Sequence, residues 1–258
     1  MAPSRARAKA ALTAGLNLKR KGMPASKSIV GLGIVGGLAA AGPSFRVIKT
    51  TEVDPYEKAA KTTVTAALAA PTGDSFAGTA RKSAKLSIST ATTEPFANVK
   101  ALIDTLPSHA KMKNHTPKIT TGSTSKRVTE EDRNVRLKAF IYAASKEDDN
   151  DYHLIVGQST TASVEVYITM ELSGLPAKSA KSFAKLKKAR KTFETFFSGN
   201  LPGTTYDFYD PPVPIEVRGS LFWDASHATG GRPGPQSLRP KIPTVWEVHP
   251  ISSLTMNP

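Results

Sequence analysis

The sequence contains no cysteine. That excludes disulfide bridges, thiolate zinc sites and cysteine nucleophiles, so any metal or acid–base chemistry must come from carboxylates, imidazoles and hydroxyls. Acid is missing from the first 49 residues, which hold nine basic ones: Arg5, Arg7, Lys9, Lys19, Arg20, Lys21, Lys27, Arg46 and Lys49. The chain carries +14 overall, so the rest of it carries only +5. Also absent are a G-x-S-x-G elbow, a Walker loop, an H-E-x-x-H helix and an EF-hand loop. The sequence by itself therefore assigns no reaction, and no cofactor is expected.

Long apolar runs are scarce as well. Residues 28–42 form an apolar run of 15, short of the roughly 20 that span a bilayer, so no stable membrane span is expected. Basic residues precede the run, and Ala39, Ala40 and Ala41 put small residues where a signal peptidase cuts, which is the shape of a secretory signal. A start at Met23 instead of Met1 would give it a leader of more usual length. The chain is exported if this run acts as a signal, and cytoplasmic otherwise. Gly31, Gly33 and Gly36 spell G-x-G-x-x-G, but no strand precedes them, so a dinucleotide site is set aside. A basic arm for an anionic partner is a further reading of this region.

At 258 residues with 39% hydrophobic residues, the chain can bury a sizeable core. Three regions are expected: a basic leader (1–45), a partly helical extension or linker (46–126) and a β domain (127–258). In the second, Asp54 and Pro55 read as a helix start running to about Ala70. The alternation at 85–89 reads as a linker or weak strand. Thr93, Glu94 and Pro95 read as the opening of another helix with Phe96, Val99, Leu102 and Ile103 on one face. His109 and His115 follow as solvated loop histidines.

From Arg127 the apolar period becomes two. Val135, Leu137, Ala139 and Ile141 alternate with Arg136, Lys138, Phe140 and Tyr142. The same pattern returns around Leu154, around Ile168, around Val217 and around Trp246. Five strands, each apolar on one side, are expected. Between the third and fourth lies a helical stretch over 176–197, with Phe183, Leu186, Ala189, Arg190, Phe193, Phe196 and Phe197 at helical spacing. Lysines fill its other side, and residues 198–200 stop it. Strand, strand, strand, helix, strand, strand is the order of a five-stranded OB-like barrel, so the fold class expected is mainly β within α+β. Gly219, in mid-strand, suits a sharp bend.

The runs DDNDYHLIVG (148–157), VRGSLFWDASHATGG (217–231) and TVWEVHPIS (244–252) resemble a group of uncharacterised bacterial proteins. Members have an Asp-x-His-Leu strand, a Phe-Asp…His…Thr-Gly stretch and a closing Glu-x-His-Pro strand. The likeness covers about half the chain, supports the domain boundary and marks residues to test. It implies no activity, and the loop after His227 is longer and richer in Arg and Pro than the group's.

Two constellations could carry function. Asp151 and His153 are two apart on one strand and so share a face, as do Glu247 and His249. Should these strands meet, with Asp224 and His227 nearby, the set could bind a divalent metal or act as general acid and base. The second is an outward face mixing Arg136, Lys138, Phe140, Tyr142, Tyr167, Arg218 and Phe222, joined by Arg232 and Arg239 from a long loop. Rings that stack on bases and cations that follow phosphates bind single-stranded nucleic acid. The leading expectation is a binding module for nucleic acid or another anionic macromolecule. The alternatives are an exported bacterial protein binding a protein, peptide or glycan, and a metal-assisted hydrolase such as a nuclease.

Overall fold

The structure, a computed structural model, describes residues 45–56, 74–160, 165–228 and 231–258. The apolar run at 28–42 and most of the helix expected after Asp54 lie outside them. The protein is mainly β: the described strands form one seven-stranded mixed sheet accompanied by four short or medium helices. None of the described helices is long and apolar enough to cross a membrane.

The five strands expected from period two are present. They are β3 (Asn134–Lys146), β4 (Tyr152–Gly157), β5 (Tyr167–Leu172), β6 (Asp207–Trp223) and β7 (Trp246–Met256). β3 pairs antiparallel with β4, β4 with β5, and β6 with both β7 and β3, while β5 and β7 pair in parallel. These pairings close a ring of five strands. Its inner face carries Leu137, Ile141, Leu154, Val156, Ile168, Met170, Ile215, Val217 and Val248 in one buried cluster. Each of these sits one residue from an outward-facing neighbour, as a strand's alternation requires.

Two further strands join the rims. β1 (Arg46–Lys49) pairs with the start of β6, and β2 (Thr93–Phe96) runs parallel to β3. β2 corrects the helix expected at Thr93. Its Pro95 is tolerated because β2 is an edge strand with one neighbour. The helix starts later as α2 (Val99–Ile103), with Asn98 as its N-cap accepting from the Ala101 N–H at 2.9 Å. The alternating piece at 85–89 is no strand. It follows the one-turn helix α1 (Lys82–Lys85). α3 (His109–Lys113) carries His109 on its exposed surface, and His115 pairs with Glu130 at 3.1 Å.

α4 (Phe183–Phe196) lies between β5 and β6, the third and fourth strands of the ring. Ala189 and Phe193, with Phe197 just beyond, join the inner cluster, and the Phe193 ring stands 4.9 Å from that of Tyr152. Arg190 belongs to this buried stripe. Its guanidinium lies 4.3 Å over the Tyr152 ring and donates to the carbonyls of Asn150, Leu172 and Ser173. Gly199, at φ 85°, supplies the left-handed residue that ends the helix.

The segment around α1 is clamped over the outer wall of the ring by two arginines. Arg81, buried, makes a bidentate pair with Glu131 at 2.6 and 2.8 Å and also donates to the Trp223 carbonyl. Arg127 donates to the carbonyls of Ala84, Ser87, Leu221 and His249. One guanidinium thus ties the covering segment to β6 and β7 together.

Candidate functional site

Strand register assembles the site. With Leu154, Met170 and Val248 turned inward, alternation turns His153, Glu171, Glu247 and His249 outward. In the β4–β5 pair His153 stands opposite Glu171, and in the β5–β7 pair Thr169 stands beside Glu247. Continuing that row places His249 beside Glu171. Asp151 enters from the turn before β4, and Asp224 from the end of β6. The outer wall is not wet here. Asp151, His153, Glu171, Glu247 and His249 are each at most 3% exposed, beneath the α1 segment and the loop after β6.

The contacts leave lone pairs unanswered. Asp151 Oδ1 accepts the Gly174 N–H at 2.5 Å, while its Oδ2 lies 3.5 Å from His249 Nε2 without a hydrogen bond. Glu171 Oε2 pairs with His249 Nδ1 at 2.6 Å. Neither oxygen of Glu247 accepts a hydrogen bond among the described residues, and His249 Nδ1 is 3.6 Å away. His153 Nδ1 meets Glu147 at 2.7 Å and the Tyr206 hydroxyl at 3.0 Å. Lys85 supplies one cation, its Nζ 3.9 Å from Glu171 and 3.7 Å from Asp149.

Buried carboxylates must find positive charge or take up protons. Burial first, then the charges of Asp149 and Glu171, push the Asp151 carboxyl well above its ordinary range. Burial, Glu171 and Asp224 do the same to Glu247. Burial also opposes charge on Glu171, but His249 and Lys85 outweigh it and hold that carboxyl well below the usual range. Lys85 is held well above its ordinary value: burial opposes its charge, and Glu171 and Asp149 overcome it.

Among the described residues, three sets of side chains bring one potential ligand atom each to within 4.8 Å of one another: Asp151, Glu171 and His249; Glu147, His153 and Glu171; and Asp224, His227 and Glu247. They are linked, since Glu171 belongs to two sets and Glu247 neighbours His249. The first offers two carboxylates and an imidazole, a donor set suited to a divalent cation, with Glu171 Oε2 2.6 Å from His249 Nδ1 and Asp151 Oδ2 3.5 Å from its Nε2.

The third set is built differently. His227 Nδ1 lies 2.5 Å from Asp224 Oδ2, and its Nε2 is 3.6 Å from Asp54 Oδ2. Asp54 in turn accepts the backbone N–H groups of Tyr56 and Gly234. Burial disfavours the imidazolium, but Asp224 and Asp54 outweigh it and raise His227 well above its ordinary value. Asp224 is held well below the carboxylate range, burial being overcome by His227 and Lys85. His227 also lines a groove of about 410 Å³ with Ser108, His109, Arg232 and Thr244.

Of the four residues expected to form a metal site, Asp151 and His249 share one set, His153 falls in the set of Glu147, and Glu247 in the set of Asp224 and His227. Glu171 stands between two of them, with His153 at one side and His249 at the other. Spacing within one strand pairs Asp151 with His153 and Glu247 with His249. Glu171 comes into view only when β5 is set between β4 and β7. Lys85, Glu147 and Asp54 come from covering segments and turns that no periodicity marks.

The outward aromatic face needs correction. Tyr167 and Phe222 are buried, Tyr167 edge-on to Tyr142 and Phe222 beneath Arg81 and Lys85. Phe140 and Tyr142 are half-buried, and the Tyr142 hydroxyl bonds Ser159 and Glu165. The reason is cover: segments outside the ring pack on the rings the strands turn outward. Arg136, Lys138 and Arg218 remain exposed, with Arg136 3.7 Å from Glu216. Arg232 is exposed, and Arg239 donates to the Gly234 carbonyl and stands over the Tyr56 ring. Compared with protein-family models, curated proteins and solved structures, the chain matches none of them.

Proposed function

We propose that the chain is a metal-dependent hydrolase of anionic esters, built on an OB-like barrel. The ring of five strands, the parallel pairing of its third and fifth members and the helix between its third and fourth support the barrel reading. The observation that carries the function is the convergence of the buried donor atoms of Asp151, Glu171 and His249 to within 4.8 Å of one another, next to the Asp224–His227 pair, whose imidazole lines an open groove. Asp151, Glu171 and His249 would hold the cation, which lowers the pKa of a bound water or polarises an ester oxygen. Asp224 orients the His227 ring and keeps it protonated, which suits a general acid for a leaving alkoxide. Arg232, on the groove, supplies positive charge for an anionic substrate. The runs by which the chain resembles a group of bacterial proteins contribute Asp151, His153, Asp224, His227, Glu247 and His249, all of them in this cluster.

The test is hydrolysis of bis(p-nitrophenyl) phosphate and of a single-stranded oligonucleotide by protein supplied in turn with Mg²⁺, Mn²⁺ and Zn²⁺. Metal-dependent turnover is expected. It should fall about 100-fold or more in His227→Ala, the scale of a lost general acid, with metal still bound. No turnover with any of the three cations, or turnover indifferent to a chelator, contradicts the proposal.

A further inference from the structure

A second groove, of about 740 Å³, lies between the start of α4, the segment after α1 and the outer face of β6. Among the described residues its wall carries Lys181, Lys185 and Arg218 and no carboxylate, the nearest acid behind it being Asp132, which accepts the Ser89 hydroxyl at 2.6 Å. All three cations are exposed, and none has an ion-pair partner among the described residues. The register adds a second observation. Arg218 stands directly opposite Arg136 across the β3–β6 ladder, and Lys138 follows two residues on. Like charges directly opposite on antiparallel strands repel. Among the described residues the carboxylate on this strip is Glu216, which stands opposite Lys138 and 3.7 Å from Arg136 and leaves Arg218 without a paired acid. Positive charge thus runs out of the groove and along β3, a shape that suits a polymer of phosphates more than one small anion.

We propose that this groove and the Arg136–Arg218 strip bind the phosphodiester backbone of single-stranded nucleic acid. The rings once expected to stack on bases are covered, so recognition is of backbone charge and independent of sequence. The groove is separate from the His–carboxylate cluster, and the inference stands whether or not that cluster hydrolyses anything.

The experiment is fluorescence anisotropy of labelled oligothymidylate with the full chain, in a chelator so that no cleavage intervenes, between about 50 and about 200 mM salt. The triple variant Lys181→Glu, Lys185→Glu, Arg218→Glu is compared with a control of equal charge change, Lys113→Glu, Lys118→Glu, Lys126→Glu. The groove variant should bind at least about 10-fold more weakly than the control. Its slope of log K against log salt should flatten by about 2, since each lost phosphate contact on a single strand removes about 0.7. Equal weakening in both variants would assign binding to bulk charge, the basic leader included, and overturn the proposal, as would no binding at the lower salt. Vesicles of phosphatidylserine and phosphatidylcholine form a third arm. A groove variant that loses vesicle binding and keeps the oligonucleotide also overturns it.

Discussion

His227 is the residue whose surroundings say most about its state. It sits between two buried carboxylates, one at hydrogen-bond distance, and is raised while Asp224 is lowered. A histidine with a raised folded value stabilises fully below its unfolded value, about 6.5, and the gain fades as pH rises through the folded one. A carboxyl with a lowered folded value stabilises above about 3.9, and that gain is lost as pH falls through the folded value. Wild type should therefore exceed His227→Gln by about 1.5–3 kcal/mol, the range for a hydrogen bond to a charged group, between about pH 4 and 6.5. The gap should narrow on either side. Urea unfolding in a chelator across this range checks it, and a gap that widens as pH rises would sink the assignment. At this scale the sequence was half legible. Asp151 with His153, and Glu247 with His249, declare a shared face by spacing alone. Glu171 does not, because its partners lie on other strands, and Lys85 does not, because its neighbours are acids distant in sequence.

At the scale of elements, Gly219 joins fold to site. A Cβ there would stand 2.5 Å from Val248 Cγ1 and 2.6 Å from the Pro250 carbonyl oxygen, at the point where the β6–β7 register shifts. The backbone oxygen cannot swing aside as a flexible side chain could, so β7 itself would have to move. Gly219→Ala should cost about 1–3 kcal/mol, as overpacking does, whereas Gly122→Ala meets nothing within 4 Å and should be near neutral. Thermal unfolding of the two variants decides, and equal midpoints would refute the close approach. The five long strands and α4 were legible because alternation and helical spacing repeat over enough residues to be read. β1 and β2 were not. Each has four residues, and β2 contains a proline, so neither carries a pattern without its partner strand. The outward rings were misplaced for a related reason, since alternation tells which face a residue takes but not what covers that face.

For the whole molecule, closing the ring turns apolar side chains into its inside, where they form one buried cluster. Function is pushed to the outer wall. One stretch of that wall is sealed by the segments that Arg81 and Arg127 clamp down, and it holds the acids and imidazoles. Another stays open and holds the cations. A sealed wall with this many carboxylates and so few cations is stable only if protons or a metal ion make up the balance. Under the proposed function a metal ion does so. The most direct measurement is elemental analysis of protein purified without chelator, repeated on Glu171→Gln and His249→Ala. About one divalent cation per chain in the wild type, lost in both variants, is the predicted result. A wild-type chain that retains no cation even after dialysis against Mn²⁺ or Zn²⁺, or variants that hold as much as it does, would contradict the account.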